Sequence, residues 1–567
     1  MLQSRRHFVG TAAALGALAS AGRFSILPAR ADSGPVRIPL SEFVKDPAKL
    51  DALRKGVAVM KARPGSDHRS WFFQAAVHAY NDALYADALK KDRKVGKIDK
   101  ARYWNKCPHF GQCSADFIIW HRAYVYYFER ILRDATGDAN FALPYWDYEN
   151  EDSRSFPEAF APRYLDAANT SENPLYNPNR DLGFTSGRFD LSSKICEARN
   201  TLAAQTFFHD AGTPGFGGDT LDKAHTQLSL IEQRPHNDIH IAVGGVVGSV
   251  NGAMADVPTA AFDPIFWVHH ANIDRLWVKW ASEPGTAWGP LPDDSWFDEK
   301  PWVFLNVDGS EARESRRFYM DRTNLDVRYD TDDASRPELK PPLPRQANIG
   351  AVAGEAFTPG AVGAAAPDSS NGGGARPPVP NAAAPSAARR SAAPPRMRGG
   401  AGLAGAGTPQ AMPADMMAAL TTQFTIMAIT APLIVSPTRP AKRTVVAAAR
   451  TGANANARLL LELADIKIGR VPSSGFAVYL DLDSAAPADA NMVGLIDLFA
   501  ATHKDMAGMA GMSAAQRFDV SKIVPAIGGS FSLRIEPYDL LTARNGAGAP
   551  QRADAVHIGS VRFIVAS

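Results

Sequence analysis

The segment Asp263-Pro-Ile-Phe-Trp-Val-His-His-Ala-Asn-Ile-Asp-Arg-Leu-Trp277 predicts a buried helix that carries a metal ligand. An aspartate followed by proline is typical of a helix N-cap and first turn. His270, Asp274 and Trp277 then lie on one face of the helix. Because a long apolar helix holds an imidazole ring in a fixed position, we interpret His270 as one ligand of a larger site.

A second apolar segment, Phe117-Ile-Ile-Trp-His-Arg-Ala-Tyr-Val-Tyr-Tyr-Phe-Glu129, places His121 beside an aromatic helical stripe. His236 and His240 are four residues apart, so both rings project from one face of a helix that Pro235 opens. The candidate ligands form two trios: His78, His109 and His121, then His236, His240 and His270.

No Asp or Glu stands at ligand spacing beside these histidines, so each ion is expected to have only nitrogen ligands. Such ligands favour copper or zinc over magnesium, calcium or manganese. We interpret each trio as the ligands of one copper ion. Because such sites are usually built from the side chains of facing helices, we expect both ions to lie inside a four-helix bundle. A helix over residues 70–89 would hold His78 at its middle, and His109 would lie on a loop.

These motifs resemble the tyrosinase and polyphenol oxidase family, the type-3 copper proteins that include molluscan haemocyanins. The resemblance covers residues 66–329 and includes Phe141-Ala-Leu-Pro-Tyr-Trp-Asp147. It implies that the first trio holds one copper and the second trio the other. The stretch from His109 to His121 is a few residues longer than usual in the family. His269 is interpreted as a packed neighbour of the ligand His270.

The resemblance implies oxidation of phenols by O2: ortho-hydroxylation of monophenols and two-electron oxidation of o-diphenols to o-quinones. Hydroxylation requires a positioned base for the phenol proton, and the family holds a water for this purpose at the positions of Glu232 and Asn237. Val257 matches the family's gate over the first copper. Asp274 is expected to orient a ring nitrogen or to cap a helix.

Three other functions use the same histidines. A catechol oxidase or o-aminophenol oxidase would lack monophenolase activity, and a haemocyanin-like carrier would bind O2 while blocking phenols. A zinc-binding structural protein would have no redox activity. Four further histidines, His68, His209, His225 and His557, have no partner at ligand spacing and are interpreted as ordinary polar residues.

Three cysteines allow at most one disulfide within the chain. Cys107-Pro108-His109 matches the C-x-H pattern that forms a thioether between cysteine and ligand ring in fungal tyrosinases and molluscan haemocyanins. A disulfide from Cys107 to Cys113, or from Cys113 to Cys196, is the alternative.

The N-terminal sequence predicts a twin-arginine signal peptide over residues 1–31. Ser4-Arg-Arg-His-Phe-Val9 precedes a small-residue apolar run, and Ala29-Arg-Ala31 supplies a cleavage site. The run is shorter than the ~20 residues that a membrane span needs. We therefore expect export by the twin-arginine machinery to the periplasm or the medium, with no membrane anchor.

Composition and charge bound the rest of the chain. The 61 basic and 59 acidic residues give a net charge of +2, which indicates neither a nucleic acid nor an anionic membrane as partner.

We expect a catalytic domain over residues 32–334 and a Pro/Ala/Gly-rich disordered linker over residues 335–420, which cannot bury enough apolar surface to fold. The oligomeric state is not indicated.

Residues 421–567 are expected to form a β-sandwich, with strands at 443–449, 457–468, 476–482, 531–535 and 556–565. Gly475-Phe-Ala-Val-Tyr479 resembles the tail of plant-type polyphenol oxidases. That resemblance implies a domain that covers the copper site and keeps the enzyme latent until it is displaced.

One motif lies outside the resemblance. Thioethers select Cu(I), so His503, Met506, Met509 and Met512 are a candidate copper-loading loop. A flexible loop, or methionines packed on the catalytic domain, is the simpler interpretation.

Overall fold

The computed structural model describes residues 34–80, 86–87, 90–109, 112–210, 213–222, 225–344, 433–435, 441–447, 458–468, 474–482, 491–501, 515–523, 529–544, 546–548 and 556–566. The predicted signal peptide, residues 345–420 of the predicted linker, and the candidate copper-loading loop from His503 to Met512 lie outside the described residues.

Five helices build the N-terminal part: α1 (Pro47–Ala62), α2 (Trp71–His78), α3 (Ala115–Thr136), α4 (Asp238–Gly244) and α5 (Pro264–Ala281). The predicted cap of α5 is confirmed, because the Asp263 side chain accepts a hydrogen bond from the Ile265 backbone N–H. Helix α3 ends at Gly137, whose φ of 75° is left-handed and favours glycine. The two apolar segments are therefore helices, as predicted.

The prediction of a helix continuing from Ser70 to Leu89 with His78 at its middle is wrong. Helix α2 ends at His78, and Ala79 is extended at φ −164° and ψ 161°. The carbonyl oxygens of Ala76, Val77 and His78 accept hydrogen bonds from the backbone N–H groups of residues 105–107. Since this loop satisfies the last carbonyls, the helix need not continue, and the loop lies against the end of α2.

The segment before α4 departs from a regular helix. Glu232–Asn237 forms a π-helical turn, which is broken at Arg234 by φ −148° and ψ 129°. Helical backbone resumes at Pro235 and runs into α4, so His236 and His240 lie on one continuous stretch. The prediction that Pro235 opens this helix is confirmed.

Helices α3 and α5 pack through aromatic rings. The Phe128 ring stacks on Trp267 with centroids 3.3 Å apart, and Trp71 meets both rings edge-on. All three side chains are buried. Truncating a buried aromatic such as Trp267 to alanine would lower the free energy of unfolding by about 3–5 kcal/mol. Because the contact is this strong, it fixes the spacing between the helices that carry His121 and His270.

The C-terminal part consists of two main antiparallel sheets, as a β-sandwich requires. One has the strand order Met492–Leu495, Ser474–Leu482, Gly529–Asp539, Ala441–Ala447, and the other has the order Gln516–Asp519, Arg458–Ala464, Ser560–Ala566. Leu461, Val478 and Leu533 from these sheets are buried in the apolar core. The predicted architecture, a helical domain followed by β-sheets, is confirmed.

Shorter elements connect these parts. The short helical segments are Leu40–Phe43, Arg93–Lys97, Lys100–Tyr103, Glu151–Ser153, Glu158–Phe160, Leu182–Thr185, Ser193–Cys196, Arg199–Leu202, Ala253–Ala255, Val257–Ala260, Asp294–Asp298, Arg316–Met320, Arg322–Asn324 and Leu498–Ala501. The two-stranded pairs are Val36–Arg37 with Arg328–Tyr329, Phe189–Leu191 with Leu541–Ala543, Val246–Val247 with Val250–Asn251, Phe304–Leu305 with Glu311–Ala312, and Leu433–Val435 with Val556–Ile558.

The beginning of the predicted linker packs on the helical part. The backbone N–H of Leu339 donates to the Ala281 carbonyl at 2.7 Å, and the Lys340 carbonyl accepts from the Trp288 indole at 2.7 Å. The described residues up to Pro342 and those from residue 433 onward belong to one compact unit. Among the described residues, no helix combines the length and apolar composition that a bilayer span requires.

Candidate metal centre

The second trio is brought together as predicted, with one additional ring. His236, His240, His269 and His270 each present a nitrogen within 4.8 Å of the others'. All four side chains are buried. His269, interpreted from the sequence as a packed neighbour, therefore contributes a nitrogen to this cluster, while the Tyr148 hydroxyl lies 3.3 Å from its Nδ1.

The first trio is brought together only in part. His78 and His121 form a cluster with the thiol of Cys107, whereas His109 clusters with His225 and Glu232. The His109 Nε2 atom lies 2.9 Å from the Glu232 Oε1 atom. The ligand on the loop is thus the one whose position differs from the expectation.

The two trios lie next to each other. His121 from the first trio and His270 from the second stack with centroids 4.4 Å apart and planes 14° apart. Phe266 borders both trios, since its ring lies 5.0 Å from His78 and 4.1 Å from His270. Phe266 was not predicted from the sequence as a site residue, although it lies one turn before His270.

Hydrogen bonds fix the ring orientation of four candidate ligands. Their Nδ1 atoms face oxygen acceptors: His78 faces the Val257 carbonyl at 3.2 Å, His121 the Phe117 carbonyl at 2.7 Å, His236 the Asn237 side-chain oxygen at 2.6 Å, and His240 the Met254 carbonyl at 2.8 Å. A ring that donates from Nδ1 keeps a lone pair on Nε2. These rings are therefore prepared to bind a metal through Nε2.

The clusters favour neutral imidazoles. Burial lowers the pKa of His78, His121, His236 and His270 well below the usual value, and neighbouring histidines lower it further. Burial also lowers the pKa of His240 to about 3. Because a metal ligand must be deprotonated, these rings need lose no proton when a metal binds.

The side chains fit a binuclear type-3 copper centre. Neutral nitrogen donors suit copper, and the buried Nε2 of His236 has no hydrogen-bond partner among the described residues. His78 and His121 would hold one copper, with His109 on the adjacent loop, while His236, His240 and His270 would hold the other.

Glu232 and Asn237 lie beside the histidines. The Glu232 Oε1 atom contacts both His225, at 2.6 Å, and His109, at 2.9 Å. The Glu232 Oε2 and Asn237 Nδ2 atoms are buried and have no hydrogen-bond partner among the described residues. An acceptor and a donor left open in this way match what a bound water would need.

His225 was missed by the sequence analysis. It is buried, and its charge pairing with Glu232 raises its pKa to about 9 although burial alone would lower it. Burial would raise the pKa of Glu232, but His225 and His109 lower it to about 2. No spacing rule connects His225 to Glu232, because the chain between them is not a regular helix.

The predicted role of Asp274 is wrong. Its carboxylate accepts from Arg122 at 2.5 Å, from the Tyr329 hydroxyl at 2.7 Å and from Arg37 at 3.3 Å. The Nδ1 atom of His270 has no hydrogen-bond partner among the described residues. Two buried arginines engage the carboxylate, so Asp274 ties the helices together and does not orient the ligand ring.

The cysteines are free thiols in this structure, so neither predicted disulfide is present. The Cys107 sulfur lies 3.0 Å from the His109 Nδ1 atom and 3.9 Å from the His121 Nε2 atom. The thioether stays a prediction. Val257 is buried, and its carbonyl orients His78.

The C-terminal part covers the histidines. The ring of Phe499 lies 4.4 Å from His240, 5.8 Å from His109 and 6.0 Å from His236, centroid to centroid. Phe499 is fully buried. An aromatic ring of the C-terminal part therefore packs directly against the candidate ligands.

Polar contacts attach the C-terminal part, called the cover below, to residues 233–238, the segment that carries His236. The Tyr538 hydroxyl donates to Asp238 at 2.7 Å, and the Arg234 guanidinium lies over the Tyr538 ring at 4.5 Å. The Gln233 side chain accepts from the Leu495 backbone N–H at 3.0 Å. The cover is thus anchored directly beside His236.

Comparison with known proteins agrees with this geometry. Residues 68–283 match the common central domain of tyrosinase. The chain is 32% identical over 264 residues to the tyrosinase HcTyr1 of Hahella sp. (strain CCB-MM4), covering 41% of this chain and 51% of the relative. It is 30% identical over 328 residues to a chloroplastic polyphenol oxidase of Malus domestica, covering 55% and 51%. The chain thus spans about half the length of these curated relatives.

Among solved structures, the fold is similar to that of latent apple tyrosinase. The TM-score is 0.50 at 19% sequence identity, and the match covers 94% of this chain and 97% of that chain. At this identity the similarity concerns the fold alone.

Proposed function

We propose that this protein oxidises phenols with O2, hydroxylating monophenols and converting o-diphenols to o-quinones, because residues 68–283 match the common central domain of tyrosinase. Two bound copper ions supply the redox chemistry that activates O2. The observation that carries the proposal is the meeting of the two trios at His121 and His270, whose rings lie 4.4 Å apart.

The protein's own groups orient the ligand rings and hold the water that takes a proton. The carbonyl oxygens on the Nδ1 atoms keep the rings of His78, His121 and His240 in place. The open Glu232 Oε2 and Asn237 Nδ2 atoms are suited to hold a water that takes the proton of a monophenol. An o-diphenol has less need of that water, because it gives up electrons and protons without ring hydroxylation.

A catechol oxidase without monophenolase activity is the second candidate, and one observation favours it. The Glu232 Oε1 atom lies 2.6 Å from His225 and 2.9 Å from His109, and these contacts hold the pKa of the carboxyl below its usual value although burial would raise it, while a general base works best with a pKa near the working pH. In this case Glu232 would be too weakly basic to help remove the phenol proton.

The position of Phe499 supports a latent enzyme. Its ring covers His240 and lies near His109, so a phenol ring reaches the metals only after the C-terminal part moves. The Pro/Ala/Gly-rich sequence over residues 345–420 is the expected site of proteolysis.

The test uses the copper-loaded full-length chain before and after limited proteolysis within residues 345–420. We expect o-quinone from catechols and from tyrosine-like monophenols, with higher rates after proteolysis. Turnover of catechols alone would select the catechol oxidase. Reversible O2 binding with neither phenol consumed after proteolysis would contradict an oxidase and favour a carrier.

We also propose export through the twin-arginine pathway, supported by Arg5, Arg6 and the Ala29-Arg-Ala31 cleavage motif. A variant with both arginines changed to lysine is expected to remain in the cytoplasm uncleaved. Normal export of that variant would contradict the proposal.

A further inference from the structure

The Glu232 carboxylate is held asymmetrically. Its Oε1 atom contacts two imidazole nitrogens, at 2.6 Å from His225 and 2.9 Å from His109. Its Oε2 atom is buried without a hydrogen-bond partner among the described residues. Since the two oxygens belong to one rigid planar group, the contacts on Oε1 determine where Oε2 points.

His225 is itself fixed at both ring nitrogens. Its Nε2 atom faces Glu232, and its Nδ1 atom lies 3.0 Å from the Gln112 carbonyl oxygen. Gln112 is fixed in turn, because its side-chain oxygen accepts from the Trp302 indole at 2.7 Å. The chain of contacts from Trp302 to Glu232 passes through the half-buried Gln112 and leaves the His225 ring little freedom to rotate.

The other imidazole in contact with Glu232 is that of His109. His109 is a candidate copper ligand, and a nitrogen that binds copper no longer donates to a carboxylate. His225 belongs to neither trio, and its two nitrogens already face Glu232 and Gln112. Of these two imidazoles, His225 is therefore the one that can keep Glu232 in place while copper is bound.

We propose that His225 is a positioning residue for hydroxylation: it holds Oε1 of Glu232 so that the open Oε2, with Nδ2 of Asn237, holds the water that accepts the monophenol proton. This inference rests on the proposed monophenolase activity. His225 belongs to neither trio, and its contact is with Glu232, so it acts through that carboxylate. Its loss should therefore impair the proton transfer that monophenols need more than the oxidation of o-diphenols.

Two variants of His225 and one control test this inference in the proteolytically activated, copper-loaded enzyme. His225→Leu removes both ring nitrogens, whereas His225→Gln keeps a side-chain amide that can donate to Glu232. His209→Leu is the control, because His209 is a half-buried histidine that does not belong to the histidine clusters. Copper content and the near-ultraviolet band of the O2-bound form are measured for each.

We expect His225→Leu to lower kcat for a monophenol by about 10- to 100-fold, the size of effect that misplacing a catalytic group produces. KM and the kcat for an o-diphenol should change little, with copper content and the O2 band unchanged. His225→Gln should recover most of the lost rate. Equal losses on both substrates, or the same selective loss in His209→Leu, would overturn the inference.

A crystallographic comparison decides the inference even if the wild-type enzyme does not hydroxylate monophenols, a result that would refute that part of the proposed function. In copper-loaded crystals, Glu232 Oε1 should stay in contact with His225 in the wild type, and the carboxylate should rotate in His225→Leu. A carboxylate with the same orientation in both structures would show that His225 does not position Glu232.

Discussion

The two histidine trios differ in how the backbone supports them. His236, His240 and His270 all lie on helical backbone and converge with His269 into one cluster. In the first trio, His78 and His121 converge with Cys107, while His109 turns to Glu232. Helical spacing fixes where a side chain points, and a loop does not. The comparison suggests that the second copper site is built in advance and that the first is completed when metal binds.

The largest effect is expected from removing a ligand of the second trio. His240→Ala should lose one of two copper ions per chain, because it removes a helical ring whose Nδ1 is held by the Met254 carbonyl at 2.8 Å. The affinity for that copper should fall by more than the roughly 100-fold that loss of an outer partner costs. Metal analysis and o-diphenol turnover check this prediction. Retention of both copper ions by His240→Ala would contradict the idea that the helical ligands form a site built in advance.

A smaller loss is expected from His109→Ala. The first copper would keep His78 and His121, so its affinity should fall by roughly 10- to 100-fold, while the second copper stays bound. Competition with a copper chelator measures both affinities. If this variant and His240→Ala lose copper equally, the loop ligand is as prearranged as the helical ones, and the distinction between the trios fails.

The third largest effect is expected from a change at Phe499 in the C-terminal part. Its ring lies 4.4 Å from His240 and 5.8 Å from His109. Phe499→Ala should raise the o-diphenol activity of the uncleaved chain by roughly tenfold, equal to about 1.4 kcal/mol of docking energy. Tyr538→Phe removes the hydrogen bond to Asp238, about 0.5–1.5 kcal/mol, and should activate less. Unchanged activity in Phe499→Ala would show that this ring does not block the site.

The smallest effect concerns Cys107, whose sulfur lies 3.0 Å from the His109 Nδ1 atom. After exposure to copper and O2, the wild-type peptide that contains both residues is expected to be lighter by two hydrogens, which O2 accepts as the sulfur bonds to the ring. Cys107→Ser should keep its full mass and release the first copper a few-fold faster. A wild-type Cys107 that can still be alkylated after reduction and denaturation would contradict the thioether.

Much of the helical scaffold could be predicted from local sequence. The cap at Asp263 and the aromatic stripe around His121 are short-range signals, and both helices form where those signals place them. The end of helix α2 could not be predicted in this way. It depends on backbone hydrogen bonds from residues 105–107 to the last carbonyls of the helix, and no residue type encodes such bonds.

The site was predictable where ligands share a helix and not where distant segments meet. His236 and His240 follow from their spacing. The pairing of His225 with Glu232, and the placement of Phe499 against His240, depend on loops and on the C-terminal sheets. Asp274 shows the opposite error, because its helical position beside His270 was correct while Arg122 and Arg37, from other segments, engage its carboxylate.

Strand Leu541–Ala543 of the C-terminal part completes a two-stranded ladder with Phe189–Leu191 of the catalytic part. When the cover leaves, the backbone donors and acceptors of residues 189–191 lose their partners, and an uncovered strand edge is a template for pairing with another chain. Activation should therefore make the enzyme prone to aggregation. In the latent enzyme proposed above, the C-terminal part would then protect this strand edge from pairing with another chain as well as cover the histidines.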